Sequence, residues 1–157
     1  LQWGDPYDFT IYDVPSNAAR QWKFSFISHR AQSDSAVGSD ASDPVAAQAH
    51  AEIDAARMKT LAAGLEHFKA RGLADRCFVM WTVNFAEGPS HSSLNVPHVI
   101  WGSGGGFLRQ GHYADAGGTT NNRLLNTLIS AALQDTNTMV ENFGDGPSGM
   151  LDAARRA

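Results

Sequence analysis

Cys77-Phe78-Val79-Met80-Trp81-Thr82-Val83 is the stretch on which the reading of the fold turns. Its residues are mainly apolar and β-favouring, and they do not alternate with polar ones. A strand with one wet face alternates, whereas a strand buried on both faces, as in a parallel sheet, does not. Upstream, Val45 to Arg71 lacks proline and is rich in Ala, Glu, Lys, Met and Leu, all good helix formers. Val45, Ala49, Ile53, Ala56, Leu61, Leu65 and Phe68 mark an apolar stripe along it. Asp43 suits the N-cap, Pro44 the first helical position and Gly72 the C-terminal stop. Helix, glycine turn and non-alternating strand form the rhythm of an α/β unit. The expected fold is therefore α/β, a partial doubly wound, mostly parallel sheet with flanking helices.

Further out, Trp22, Phe24 and Phe26 alternate with Gln21, Lys23 and Ser25, which predicts a half-buried strand over Trp22 to Ser28. Residues 1–21 read as extended coil with a short extended piece at Phe9 to Tyr12, and Ala31 to Pro44 as a loop. Downstream, a short strand is expected at His98 to Trp101, then the Gly102-Ser103-Gly104-Gly105-Gly106 turn. A helix follows, capped by Thr119 or Thr120 and running to about Leu133. Its Leu124, Leu125, Leu128, Ile129, Ala132 and Leu133 supply the apolar face. The organisation is a coil over 1–21, a half-domain over 22–151 and a tail over 152–157. Open doubly wound sheets place sites beyond the carboxyl ends of their strands. The loops Asn84 to Pro97 and Gly102 to Tyr113 are thus the candidate site region.

Composition narrows the function classes. The chain has 157 residues, 12 Lys+Arg against 16 Asp+Glu, and a formal net charge of -4, a size that suits one domain. No stretch approaches the ~18 consecutive apolar residues of a transmembrane span. Basic residues are scattered apart from Arg155-Arg156, which argues against a nucleic-acid partner. The single cysteine, Cys77, permits no internal disulfide and reads as a core residue. The start at Leu1, without an initiator Met, reads as a processed product or a fragment.

Six histidines carry the possible chemistry. His50 and His67 fall on the long helix and read as structural. His29, His91, His98 and His112 fall at strand ends or in loops, where with Glu87 and Asp115 they can supply ligands to a divalent ion or an acid and a base. None of the dense zinc spacings is present, so a metal site, a metal-free polar site and structural loop histidines all stand open. The glycine turn lacks a following Lys-Ser/Thr pair and the spaced pattern of a dinucleotide loop. It reads as a tight reversal, with Arg109 and His112 near enough to face an anionic group. Ser28-His29, Ser90-His91 and His91-Ser92 pair hydroxyl with imidazole in sequence, without a nucleophile elbow.

Val79 to Ser92, Asn95-Val96-Pro97, Trp101 to Tyr113 with its glycines, and Phe143-Gly144-Asp145 occur in an order that resembles the C-terminal half of the HxxSHH family. This is a domain-of-unknown-function family of bacterial proteins, often exported, related to the alkaline-phosphatase and sulfatase superfamily. Ser25-Phe26-Ile27-Ser28-His29-Arg30 resembles its naming motif, with Ser25 and Arg30 standing where the motif has histidines. The resemblance implies an alkaline-phosphatase-like half-domain and a periplasmic or extracellular location. It also implies that the chain is completed by another protein chain or a missing N-terminal half.

The expected function is a non-catalytic structural subunit, or a fragment of a larger alkaline-phosphatase-like protein, within an assembly. One alternative is a metal-dependent hydrolase of phosphate or sulfate esters. Its catalytic residues would be His91, oriented by Glu87, with Arg109 neutralising an oxyanion, and its metal ligands His29, His91 and His98. Another is a module in which Trp81, Trp101, His98 and Tyr113 bind a carbohydrate or peptide.

Overall fold

The computed structural model describes residues 10–30, 43–133, 139–144 and 146–156. Phe9, most of the loop over Ala31 to Pro44, and Asp145 of the Phe143-Gly144-Asp145 landmark lie outside them. The chain forms two compact units. The first comprises the chain up to Leu65 together with Val83–Pro97. The second comprises Glu66–Thr82 and the chain from His98 onward.

Two helices build the first unit. Helix α1, Phe24–Ser28, occupies the segment whose alternation predicts a strand. Trp22, just before the helix, and Phe26 within it meet edge to face at 5.4 Å. Ile27, which the alternation ignores, is the residue fully enclosed. The amides of Phe26 and Ile27 both donate to the Lys23 carbonyl. Extended pairing at the start of this segment is a bridge between Ile11 and Lys23.

Helix α2, Pro44–Ala70, follows the sequence reading in its bounds, while Ala56 and Phe68 of the expected apolar stripe are exposed. The Val45 amide donates to Asp43 Oδ1 at 2.8 Å, which is N-capping. At the other end Gly72 N–H reaches the Lys69 carbonyl and Leu73 N–H the Phe68 carbonyl. Gly72 lies at φ +67°, so these two bonds close a Schellman motif. Ala46, Ala49 and Ile53 of α2 are buried, and Ala49 and Ile53 join Val14 and Ile27 in one core. Tyr12, Trp22 and Phe24 flank it, half-buried.

Asn17, completely enclosed, holds the segment before α1 in shape. Its Nδ2 donates to the carbonyls of Tyr12 and Trp22, and its Oδ1 accepts from the Trp22 amide. Next to it, the Ser16 amide and hydroxyl donate to the two oxygens of Glu52.

The second unit contains the sheet, and here the expected fold is corrected. Strands β1, Val79–Thr82, and β2, His98–Trp101, pair antiparallel, Val79 opposite Trp101 and Thr82 opposite His98. The mostly parallel doubly wound sheet of an alkaline-phosphatase-like half-domain does not form. A parallel pair needs a crossover, usually a helix, and residues 83–97 contain none. Among the described residues the sheet has these two strands alone, so Cys77 to Val83 is not a central strand. The run lacks alternation because both ribbon faces are apolar: Met80 and Ile100 pack on the core, while Val79, Trp81, Val99 and Trp101 share the other side. Phe68 meets Trp101 edge to face there.

Helix α3, Asn121–Leu133, adds Leu124, Leu128 and Ala131 to Leu108 in the second core. Its buried side is not the leucine stripe alone, for Asn126, Thr127 and Ser130 are enclosed as well and Leu133 is exposed. These polar residues organise the chain after the helix. Asn126 bonds the carbonyls of Glu141 and Gly149 and the amide of Phe143. Thr127 and Ser130 accept from the amides of Leu151 and Val140.

Candidate functional site

Three of the residues singled out by sequence, His29, Glu87 and His91, come together in the first unit. His29 caps the C-terminus of α1, and its Nδ1 lies 2.6 Å from the Ser25 carbonyl one turn back. A carbonyl only accepts, so Nδ1 carries the proton and the neutral ring presents a bare Nε2. That Nε2 is 2.8 Å from Nε2 of His91, which in the neutral pair must be the donor.

His91 reaches this position from a tight loop. The Ala86 amide donates to the Ser92 carbonyl, and the Ser92 amide to the Glu87 carbonyl. His91 itself sits at φ +50°, a left-handed conformation that non-glycine residues adopt uncommonly. Phe85 stacks on its ring at 4.9 Å and 15°. Gly88 brings the loop onto α1, because a Cβ there would stand 2.0 Å from the Ser28 carbonyl oxygen. No side chain larger than hydrogen fits between them.

Glu87 does not orient His91, as the hydrolase alternative requires. Its Oε1 pairs with Arg30 at 3.4 Å and its Oε2 accepts from the Ser90 hydroxyl. The serines beside the histidines are likewise engaged with the backbone or with Glu87. Ser28 donates to the Ser25 carbonyl, and Ser92 Oγ accepts from the Leu94 amide. The cluster is thus an imidazole pair beside an arginine–carboxylate pair, able to share a proton or to ligate through nitrogen.

The remaining candidates belong to the second unit. His98 Nδ1 is 2.8 Å from the Thr82 hydroxyl and its Nε2 is 3.2 Å from Asn121 Oδ1. Asn121 Oδ1 accepts the Nε2 proton, leaving Nδ1 to accept from Thr82. Sequence reasoning missed Thr82 and Asn121, and the signal that finds Thr82 is the antiparallel register, which sets it directly opposite His98. His112 donates from Nε2 to the Ala153 carbonyl at 2.7 Å. Asp115 accepts from the Gly117 amide in a local turn.

Arg109 lines a cavity of about 760 Å³ with Asp75, Gln110, Asp152, Arg155 and Arg156. The glycine turn beside it is not an anion cradle. Its amides are taken within the fold: Gly104 donates to Cys77, Gly105 to Asp75 and Gly106 to Ser103 Oγ. Gly102 has a further requirement, since a Cβ there would meet the Cys77 carbonyl oxygen at 2.3 Å. Trp81 and Trp101 share one face of the ribbon while His98 projects with Met80 and Ile100 on the other. Tyr113 is 92% exposed.

Thr82 and Trp101 end their strands at opposite ends of the ribbon. The expectation that the loops leaving them converge over strand carboxyl ends therefore loses its basis. Among the described residues no group of three or more His, Cys, Asp or Glu is arranged to hold a metal ion. No helix among them is long and apolar enough to cross a membrane. No family model, curated protein or solved structure matches the chain.

Proposed function

We propose that the chain is a non-catalytic structural component of a larger assembly, its aromatic surface covered by further polypeptide. One observation carries this reading: no aromatic side chain among the described residues is buried. Phe and Trp ordinarily supply much of a core's buried area, yet here the enclosed hydrophobes are Val, Ile, Leu, Met and Ala. The ribbon agrees, because a two-stranded sheet is marginal alone and both outer edges lack a strand among the described residues.

Light scattering and urea unfolding of the purified chain, alone and with its native binding partners, test it. Expected are self-association or a dye-binding, weakly cooperative monomer when alone, and sharp unfolding once the partner is restored. A monodisperse monomer with an ordinary unfolding free energy of about 5–15 kcal/mol sinks it.

A second reading is a hydrolase of phosphate or sulfate esters, and what favours it is the meeting of His29, Glu87 and His91. Turnover of a generic phosphomonoester or sulfate ester that disappears in His91→Asn establishes it. No turnover with any added divalent ion removes it.

A further inference from the structure

We propose that the cavity of the second unit lined by Arg109 and Arg156 binds a small hydroxylated phosphomonoester. The proposal rests on that unit alone and needs neither the assembly nor the hydrolase reading. Three arginines, Arg109, Arg155 and Arg156, face about 760 Å³ of space together with Asp75 and Asp152. The lining therefore carries an excess of one positive charge, in a chain whose formal net charge is -4. Arg155 is engaged, paired with Asp152 at 3.4 Å and lying over the Phe107 ring. Arg109 and Arg156 bond through main chain alone, so their guanidiniums are uncommitted among the described residues.

The frame that carries those two guanidiniums is fixed. Leu108 and Arg155 form an antiparallel bridge; beside it the Arg109 amide donates to the Ala154 carbonyl and the Arg156 amide to the Phe107 carbonyl. Leu108 is 2% exposed and belongs to the second core, and Gln110 Oε1 accepts from the Gly102 amide. A frame held this way has little backbone freedom left to lose on binding. Each guanidinium is a planar fork of donors that meets an oxyanion through two parallel bonds. Two uncommitted forks suit a group with two charges. A phosphomonoester carries about two at pH 7, with three acceptor oxygens, whereas a carboxylate or a sulfate ester carries one. Asp75 is bonded only through its main-chain carbonyl, so its side chain is left to accept hydroxyls from the body of the ligand. The volume falls within the roughly 300–1,000 Å³ of small-molecule sites.

The test is calorimetry of the full chain at neutral pH and low salt, with glucose 6-phosphate, glucose 6-sulfate and inorganic phosphate as probes. Expected is one equivalent of glucose 6-phosphate, held at least tenfold more tightly than either of the others. Arg109→Gln and Arg156→Gln should each weaken it at least tenfold. Lys59→Gln, which removes the same charge from an exposed position of the first unit, should bind as the parent does. Asp75→Ala should weaken glucose 6-phosphate and leave inorganic phosphate unchanged. Both arginines are exposed, so an unchanged urea midpoint in their variants separates a lost ligand contact from a lost fold. No binding of glucose 6-phosphate at millimolar concentration, equal affinity for all three probes, or affinity unchanged in both arginine variants overturns the site.

Discussion

Phe24 and two residues of α2 show what a single side chain does in the first unit. Phe24 is half-buried, with Arg57 over its ring at 4.1 Å and Tyr12 and His50 at its edges. Phe24→Ala should therefore cost about 2 kcal/mol, less than the 3–5 of a fully enclosed ring, as read by urea unfolding. Burial pushes His50 below the ordinary imidazole value of 6.5, aided by Arg57 and Arg30 and opposed by Asp54. The Ser16 amide, then Gln48 and the Ser16 hydroxyl, hold Glu52 below the ordinary carboxyl value of 4.5. Both shifts favour the deprotonated form in the folded state. Stability from His50 is complete above pH 6.5 and is lost as pH falls through its folded value. That from Glu52 is complete above 4.5 and is lost below it. Glu52→Gln should flatten the second decline and leave the first, in thermal midpoints measured from pH 7 to 3. At this scale His29, Glu87 and His91 were legible as loop residues with chemistry. The partners that aim them were not, because the Ser25 carbonyl is main chain and Gly88 acts by what it lacks.

Helix α2 was legible because its cap, its interior and its stop are local and agree. Asp43→Ala should lower stability by about 1 kcal/mol, seen as a lower midpoint with the helical signal otherwise kept. The ribbon was misread because an apolar run does not reveal the direction of its partner. Gly88, Pro89 and Pro97 between the strands argue against a crossover helix, and that evidence lay in the connection rather than in the strands. The glycine turn gives a paired prediction. Gly102→Ala forces a methyl onto the Cys77 carbonyl at φ +94° and should cost at least about 2 kcal/mol. Gly106→Ala, at φ +88° with open space around it, should cost about 1 kcal/mol for the backbone alone. Equal losses in the two variants would show that the clash at Gly102 is relieved by movement of the strand entry.

At the scale of the two units, His50 and Glu52, the groups among the described residues held below their ordinary values, both belong to the first. Acidification should loosen that unit first. Trp22 reports on it, and Trp81 and Trp101 report on the second. Single-tryptophan variants followed by fluorescence should show the Trp22 transition at the higher pH, and coincident transitions would contradict it. The division into two units was not legible, since composition suits one domain and α2 runs without a break through the boundary at Leu65.

Among the described residues each unit also contains one enclosed carboxamide, Asn17 in the first and Asn126 in the second, bonded through both its nitrogen and its oxygen to main chain. The demand is chemical rather than steric. Aspartate has the same outline, yet it would turn an oxygen toward the Glu141 and Gly149 carbonyls where Asn126 offers two N–H groups. Leucine fills the volume and takes away the bonds that Asn126 gives the Gly149 carbonyl and the Phe143 amide, while the Glu141 carbonyl keeps the Gly149 amide. Slow hydrolysis of either amide to a carboxylate, the ordinary ageing reaction of asparagine, would thus act as a structural lesion, one that burial both makes damaging and holds back.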